Sequence, residues 1–386
     1  MHPIATIKRH ASNVRFHTYP IPMSPTPDVF ALENLDLLRA LVSIPSVSGQ
    51  EHGAVAYLVS WMQSHGFDAR VDRAGNAVGM LDGGPRPDGS PSREIMLLGH
   101  IDTVPGDIPI RIEGGKLYGR GSVDAKGPLT AFVLAALAAP PRPGWKLTVI
   151  GAVEEEAPSS KGAKYVAGRY RPDYCIIGEP NHWRRIALGY KGRLLANARR
   201  EKTLAHTASP ETGAIDDLID FWNDVRQRAD QFNQGRTRPW ELLQYGVLDV
   251  DSGGDGMHIW AEMRTGFRLP LDISPDEMRF VLAEIAESHD VHLTFGGGEP
   301  AYRAEKNSPL VRAFLRAIRA QNGKPGFVVK TGTSDMNVVG PVWHIPIVAY
   351  GAGDSALDHT PHEHIVIAEW ARSVAVLANA LDKLMT

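Results

Sequence analysis

The chain has 386 residues, 43% hydrophobic and 22% charged, with a formal net charge of -3 and one cysteine, Cys175. That length exceeds the roughly 100–200 residues of a typical domain, and so small a charge gives no general basis for nucleic-acid or membrane binding. A single cysteine excludes an intramolecular disulfide framework and a multi-thiolate zinc site, leaving histidines and carboxylates as metal ligands and a reducing cytoplasm as the simplest compartment.

No run approaches the ~20 apolar residues of a membrane span. Residues 1–27 carry His2, Lys8, Arg9, His10, Arg15 and His17 without an apolar stretch behind them. They do not fit a secretory signal and read as a disordered leader, or as a start codon assigned upstream of a true start at Met23. Residues 32–42 have helical apolar spacing at Leu32, Leu35, Leu38 and Leu41, and Pro45 blocks continuation. Ser48-Gly49-Gln50-Glu51 reads as a capping box opening a second helix through Trp61 and Met62. Residues 68–71 and 77–81 suit a strand pair, followed by a Gly/Pro/Ser-rich loop over 83–92. A buried strand from Glu94 then runs into Gly99-His100-Ile101-Asp102.

Leu117-Tyr118-Gly119 leads through Asp124 to an alanine-rich helix over 128–138, where Pro128 suits a first turn. Residues 147–153 form another apolar strand ending in Glu154-Glu155-Glu156, and 174–178 a further one ending in Glu179-Pro180. This alternation predicts an α/β sheet with helices on both faces. After Pro180 the texture changes to two-faced strands over 185–199, a helix over 215–228, a strand over 259–269, a helix over 275–287 and a strand over 292–295. With Gly296-Gly297-Gly298 as a hinge, this is a smaller βαββαβ-like layer inserted in the first domain. The α/β texture returns from Ser308, with a helix to Arg319, strands over 327–330 and 345–350, and a C-terminal helix over 365–384. The expected domains are therefore 28–181 with 299–386, and an insertion at 182–298.

Acidic or histidine residues follow each of these strands or turns: His100 with Asp102, Asp124, the glutamate triplet, Glu179, and Asp358-His359-Thr360-Pro361-His362-Glu363 before the last helix. Loops at the carboxyl ends of strands in an open α/β sheet gather at one edge, where sites form. A glutamate triplet alone is usually solvated charge, and a lone histidine is often a core residue. Their joint placement points to one shared metal site.

The chain resembles the M20 metallopeptidases, which include acetylornithine deacetylases, succinyl-diaminopimelate desuccinylases, glutamate carboxypeptidases and aminoacylases. The resemblance is carried, in chain order, by Gly99-His100-Ile101-Asp102-Thr103-Val104-Pro105, Gly119-Arg120-Gly121-Ser122-Val123-Asp124-Ala125-Lys126-Gly127, Glu154-Glu155-Glu156, Gly178-Glu179-Pro180 and His359-Thr360-Pro361. Ala125 stands where methionine is usual and Pro128 where a second glycine is usual. With Val153-Glu154-Glu155-Glu156-Ala157-Pro158-Ser159-Ser160-Lys161-Gly162-Ala163 and Lys330-Thr331-Gly332-Thr333-Ser334-Asp335-Met336-Asn337, these departures resemble one branch, the hydrolases that release lysine, and often ornithine, from the carrier protein LysW in lysine and arginine biosynthesis.

The resemblance implies a mixed, mostly parallel sheet of zinc-peptidase type, an inserted lid or dimerisation domain, and two divalent ions. Asp124 would bridge them, His100 and Glu179 completing one ligand set and Glu156 and His359 the other. Donors without thiolate suit zinc, and cobalt or manganese also fits. Asp102 would accept the free ring N–H of His100, with a cis peptide after Asp124. Glu155 is the expected general base, although Glu154-Glu155 is an alternative register for base and ligand. His206, in Ala205-His206-Thr207-Ala208-Ser209-Pro210, resembles a lid histidine that steadies the oxyanion in a partner's site, which implies a homodimer. Arg268 resembles an arginine that forks onto the substrate carboxylate, and Gly332, Thr333 and Ser334 a loop of further donors. The implied macromolecular partner is an acidic carrier protein, and Arg184, Arg185, Lys191, Arg193, Arg199, Arg200 and Lys202 against Glu201 form a local bias suited to steering it. The competing readings are a small-molecule deacetylase, desuccinylase or dipeptidase, and a metal-binding scaffold on an inactive hydrolase fold.

Overall fold

The computed structural model describes residues 27–206, 208 and 210–386, with side chains from residue 35 onward. The leader expected before Pro27, with its alternative start at Met23, lies outside the described residues.

Arg93–His100 is buried along almost its whole length, as a strand covered on both faces requires. Its side chains alternate: Ile95 and Leu97 join one hydrophobic core, Met96 and Leu98 the other. It lies inside a nine-stranded sheet whose spatial order is Asp68–Val71, Ala77–Asp82, Trp145–Ala152, Arg93–His100, Tyr174–Gly178, Ile347–Ala349, Arg185–Tyr190 and Tyr302–Arg303, with Gly326–Lys330 also paired to Arg185–Tyr190. Trp145–Ala152, Arg93–His100, Tyr174–Gly178 and Ile347–Ala349 are parallel neighbours, so their carboxyl ends share one edge. Helices Lys126–Ala138, Pro309–Ala320 and Ile367–Leu384 cover one face; Lys161–Arg169 and Asp335–Trp343, which apolar spacing did not reveal, cover the other.

Two glycines admit the alanine-rich helix to the site. Gly99 and Gly178 are register partners, and a Cβ on Gly178 would meet Phe132 Cε2 at 2.9 Å and Gly99 Cα at 3.1 Å. Side chains there would push helix Lys126–Ala138, and Asp124 just before it, away from the strand ends.

The insertion has the expected βαββαβ order: Gly192–Thr203, Ala214–Asn233, Gln244–Gly254, His258–Leu269, Pro275–Ser288 and His292–Glu299. Its strands form an antiparallel four-stranded sheet, and its helices pack on the sheet around a third core. The boundary expected at 182 falls too early. Arg185–Tyr190 belongs to the large sheet, because Ile186, Ala187, Leu188 and Tyr190 are buried on both of its faces, whereas Gly192–Thr203 alternates buried and half-buried positions. The glycine triplet is likewise not a hinge between elements. It continues the strand His292–Glu299 through an irregularity at Gly297, where φ is +70° at Gly297 and +117° at Gly298. Among the described residues, no helix is long and apolar enough to cross a membrane.

Candidate metal centre

Four parallel strands deliver the site. His100 ends one; the glutamate triplet follows Trp145–Ala152, Glu179 follows Tyr174–Gly178, and the loop carrying Asp358 and His359 follows Ile347–Ala349. Asp124 reaches the same edge from the turn before helix Lys126–Ala138, and the Asp124–Ala125 peptide is cis. His100 Nε2 lies 3.2 Å from Asp124 Oδ1, and His359 Nε2 lies 3.1 Å from Asp124 Oδ2 and 2.9 Å from Glu156 Oε1. Each oxygen of Asp124 therefore faces a different imidazole. Donor atoms of His100, Asp124 and Glu156 all lie within 4.8 Å of one another.

The electrostatics fit a cation. Burial opposes the Asp124 charge, yet hydrogen bonds from His100 and His359 hold its carboxyl well below the usual range. Burial and the surrounding carboxylates push Glu155 and Glu156 up, and bring Glu179 to about 8. The hydrogen bonds to Asp124 and Glu156 raise His359 to about 10. Asp358, named within the His359 loop but given no role from sequence, is pushed to about 9 by burial and by the charges of Asp124 and Glu179, and its buried Oδ1 has no hydrogen-bond partner among the described residues. Divalent cations would let these carboxylates stay ionised and the imidazoles neutral. Two imidazoles and several carboxylates without thiolate suit zinc and similar ions.

The residues behind the donors depart from expectation. His100 Nδ1 is 3.1 Å from the main-chain carbonyl of Asp102 and 3.5 Å from its Oδ1, so the carbonyl is the better acceptor for the ring. The Asp102 carboxylate instead accepts the backbone N–H groups of Glu155 (3.1 Å) and Glu156 (3.0 Å) and the Ser48 hydroxyl (2.7 Å). The expected capping box is absent for the same reason. Ser48 is spent on Asp102, and Glu51 accepts from Gly49 N and Glu154 N. Glu154 turns outward at φ +58°, meeting Ser159 Oγ and Lys161 Nζ. Glu156 meets His359, and Glu155 is buried where the His100 charge acts on it.

The expected substrate residues meet on one side of this cluster. Arg268 Nη1 donates to Thr333 Oγ1 at 2.6 Å, beside a cleft of about 430 Å³ lined by Arg193, Gln244, Tyr245, Arg268, Thr331 and Gly332. Burial, then the Arg193 charge, lower the Arg268 pKa against the opposing pull of Glu155 and Glu299. Ser334 is buried as the N-cap of helix Asp335–Trp343: its Oγ accepts from Met336 N–H and its own N–H goes to Asn337 Oδ1. His206 is apart from them. It is exposed on the loop after Gly192–Thr203, its Nδ1 accepts from Ala208 N–H, and among the described residues no hydrogen bond or ion pair links it to the cluster.

Four of the seven basic side chains in the stretch from Arg184 to Lys202 are paired with acids. Arg199 pairs with Glu262 and Glu201, Arg200 with Asp217 and Asp290, Lys202 with Asp217, and Arg193 with Glu299. Counting charge along one strand missed the acids supplied by its neighbours; Glu262 is the register partner of Arg199.

Comparison with known proteins agrees with this geometry. The model of peptidase family M20/M25/M40 matches residues 96–383. The chain is 48% identical over 369 residues to the [LysW]-lysine hydrolase of Deinococcus radiodurans, covering 94% of this chain and 99% of that protein. It is 29% identical to the [LysW]-lysine/[LysW]-ornithine hydrolase of Sulfurisphaera tokodaii, over 90% of this chain and 95% of that one. An M20 family metallo-carboxypeptidase from Sulfolobus solfataricus shares the fold at a TM-score of 0.75 and 17% identity, covering 92% of this chain and 99% of that one. A Bacillus subtilis protein described as a dinuclear metal binding peptidase from the M20 family aligns at a TM-score of 0.64 and 14% identity, over 92% and 98% of the two chains. The chain belongs to the peptidase family M20/M25/M40, as a hydrolase of amide bonds.

Proposed function

We propose that this chain is a two-metal amidohydrolase that releases lysine, and also ornithine, from the C-terminal glutamate of the acidic amino-group carrier protein LysW in cytoplasmic lysine and arginine biosynthesis. The observation that carries the metal reading is Asp124, each of whose oxygens faces a different histidine. The carrier reading is supported by the relatives named for LysW-linked substrates. His100 and Glu179 would hold one ion, Glu156 and His359 the other, with Asp124 between them; zinc is the metal proposed. Such ions supply Lewis acidity, polarising the scissile carbonyl and making water a usable nucleophile near neutral pH.

Glu155 takes the proton of the attacking water and passes it to the leaving amine nitrogen. Burial and neighbouring carboxylates raise its pKa in the metal-free site, and beside the proposed cations it would stay ionised to take that proton. Asp102 fixes the Glu155 and Glu156 amides, so base and ligand share one turn. Arg268, steadied by Thr333, receives the substrate's α-carboxylate in the cleft that Gly332 also lines, while Ser334 holds that loop as a helix cap. His206, exposed on the insertion, serves the site of a second copy in a homodimer, donating to the oxyanion; one such donor is worth about 3–4 kcal/mol. The insertion thus acts as lid and dimerisation domain.

Assaying the zinc-loaded protein on carrier-linked lysine, carrier-linked ornithine and acetylornithine tests this reading. Preferred cleavage of the carrier-linked amides is expected. Preferred cleavage of acetylornithine overturns the carrier assignment, and no cleavage of any amide by metal-loaded protein overturns the catalytic one.

A further inference from the structure

Glu363 lies four residues beyond His359 and is 1% exposed. Its Oε1 accepts the backbone N–H groups of Val123 (2.9 Å) and Asp124 (3.2 Å), and its Oε2 accepts from Arg120 Nη1 at 2.8 Å. Arg120 also donates to the carbonyls of Thr360 (3.3 Å) and Gly106 (3.0 Å). One buried ion pair therefore joins the loop after His100, the Asp124 turn and the His359 segment. The residues that follow it, His364–Val366, pair with Lys116–Tyr118, the strand that leads into the Asp124 turn.

The two histidine limbs differ in support. The His100 side chain is 2% exposed, ends a buried strand and has its second ring nitrogen held by Asp102. The His359 side chain is 52% exposed, sits at φ +59°, and among the described residues has polar side-chain contacts with Asp124 and Glu156 only, both of them expected ligands. No hydrogen bond orients its other ring nitrogen among the described residues. Its place opposite Asp124 is set by the main chain, and the main chain is fastened to the Asp124 turn through Glu363 and Arg120.

We propose that the Glu363–Arg120 pair is a positioning device that holds the His359 limb against Asp124 and so sustains binding of one of two metal ions, the one held by Glu156 and His359. This rests on the two-metal reading above. A buried charge pair is weak as a general source of stability, but removing one partner leaves the other charge and its amide partners uncompensated. The loss falls where the pair makes its contacts, on the junction between two ligand loops.

Calorimetric titration of the metal-stripped full chain with zinc chloride tests this. The wild type is expected to bind two equivalents; a single equivalent overturns the two-metal reading and this inference with it. His359→Ala identifies which step belongs to the limb in question. Glu363→Gln is expected to weaken that step by about 10- to 100-fold, the range for groups that orient metal ligands, while the other step changes less than about threefold. Arg120→Met should reproduce the selective loss, and Arg120→Lys, which keeps the charge pair, should largely restore it. If Glu363→Gln fails to fold by circular dichroism, the reading is taken from Arg120→Met, which leaves the Glu363 carboxylate on the Val123 and Asp124 amides. Equal weakening of both steps, or of neither, overturns the proposal, since a merely structural role would not single out one ion.

Discussion

Asp102 Oδ1 accepts the backbone N–H of Glu155 at 3.1 Å. With Oδ2 on Glu156 N–H and on the Ser48 hydroxyl, this buried carboxylate holds the turn that presents base and ligand together. Asp102→Asn keeps the size but replaces one accepting oxygen with a donor, which then faces an amide N–H. An unsatisfied buried group costs about 1–3 kcal/mol. The expected result is a fall in kcat of about 10- to 100-fold with zinc content retained. Unchanged kcat in a metal-loaded variant would remove Asp102 from the positioning of Glu155.

Glu154 and Glu155 are neighbours with opposite surroundings, and the difference predicts opposite phenotypes. Glu154 meets Ser159 and Lys161, which hold its carboxyl below its ordinary range, whereas burial and the negative charges around Glu155 raise it. Glu155→Gln should bind two ions normally and lose about 10²–10⁴-fold in kcat, the usual worth of a positioned acid–base group. Glu154→Gln should remain within about threefold of the wild type, because exposed pairs of this kind contribute little. Reversed outcomes would shift the catalytic register by one residue.

The candidate donors were legible because each sits inside a short contiguous motif, three of them at or just past the ends of strands readable by apolar content and Asp124 and His359 in turns. The resemblance to the M20 motifs singled out His100, Asp124, Glu156, Glu179 and His359, and the rule that parallel strands bring their carboxyl ends to one edge accounts for how His100, Glu156 and Glu179 come together. Their supports were not legible, since those depend on pairs distant in sequence. Ser48 reads locally as a helix cap, but in the fold it donates to Asp102. Glu363 reads as one more acid in a polar loop until the Arg120 fork and the Val123 amide arrive from the other side of the chain. The charge on Arg199, Arg200 and Lys202 was misjudged for the same reason: strand register and helix Ala214–Asn233 bring Glu262 and Asp217 to them.

Asp217 makes the insertion's stability depend on acid pH. Burial opposes its charge, but hydrogen bonds from Thr212, Arg200 and Lys202 outweigh burial and bring its pKa from 3.8 to about 2. A depressed folded-state pKa means the unfolded chain binds the proton first as pH falls. The stabilisation is therefore fully present above about 4 and is lost as pH falls through about 2. Allowing for screening at a site near solvent, Asp217→Asn should cost on the order of 1 kcal/mol at pH 7. Urea midpoints of wild type and variant at pH 7, 4 and 2.5 should converge toward the lowest pH. A gap that persists unchanged at pH 2.5 would deny the ion-pair origin.

Arg268 is half-buried, bonds Thr333 and, among the described residues, has no carboxylate within ion-pairing distance. Such a guanidinium beside a cleft is ready for an anionic ligand. Arg268→Lys keeps the charge but gives up the planar two-pronged geometry, so KM for carrier-linked lysine should rise about 10- to 100-fold while zinc binding is unchanged. Thr333→Val, which frees the guanidinium without removing it, should show a smaller rise in the same direction. A loss confined to kcat, with KM untouched, would place Arg268 on the transition state rather than on the carboxylate.

Metal removal should cost stability as well as activity. Burial and then neighbouring carboxylates raise the pKa of Glu155, Glu156, Glu179 and Asp358, with Asp124 acting on the last three and Glu179 on Glu155 and Asp358, so the metal-free site carries like-charge repulsion that protonation relieves only in part. An ion that binds the folded chain alone stabilises it by mass action, by about 4 kcal/mol at a thousandfold excess over Kd. Chelation followed by dialysis should therefore lower Tm by several degrees and abolish hydrolysis. Zinc, cobalt or manganese should restore both, in an order that reports which ion the site prefers. The repulsion also predicts a sign with pH. The unfolded chain's carboxylates ionise at about pH 4, while those of Glu179 and Asp358 stay protonated in the folded metal-free protein. Its stability should therefore fall as pH rises and level off above about 8 and 9, whereas the zinc-loaded protein shows no such loss. Parallel melting curves from pH 6 to pH 9 would check this, and metal-free and loaded curves that track each other would show that these carboxylates do not face the ions.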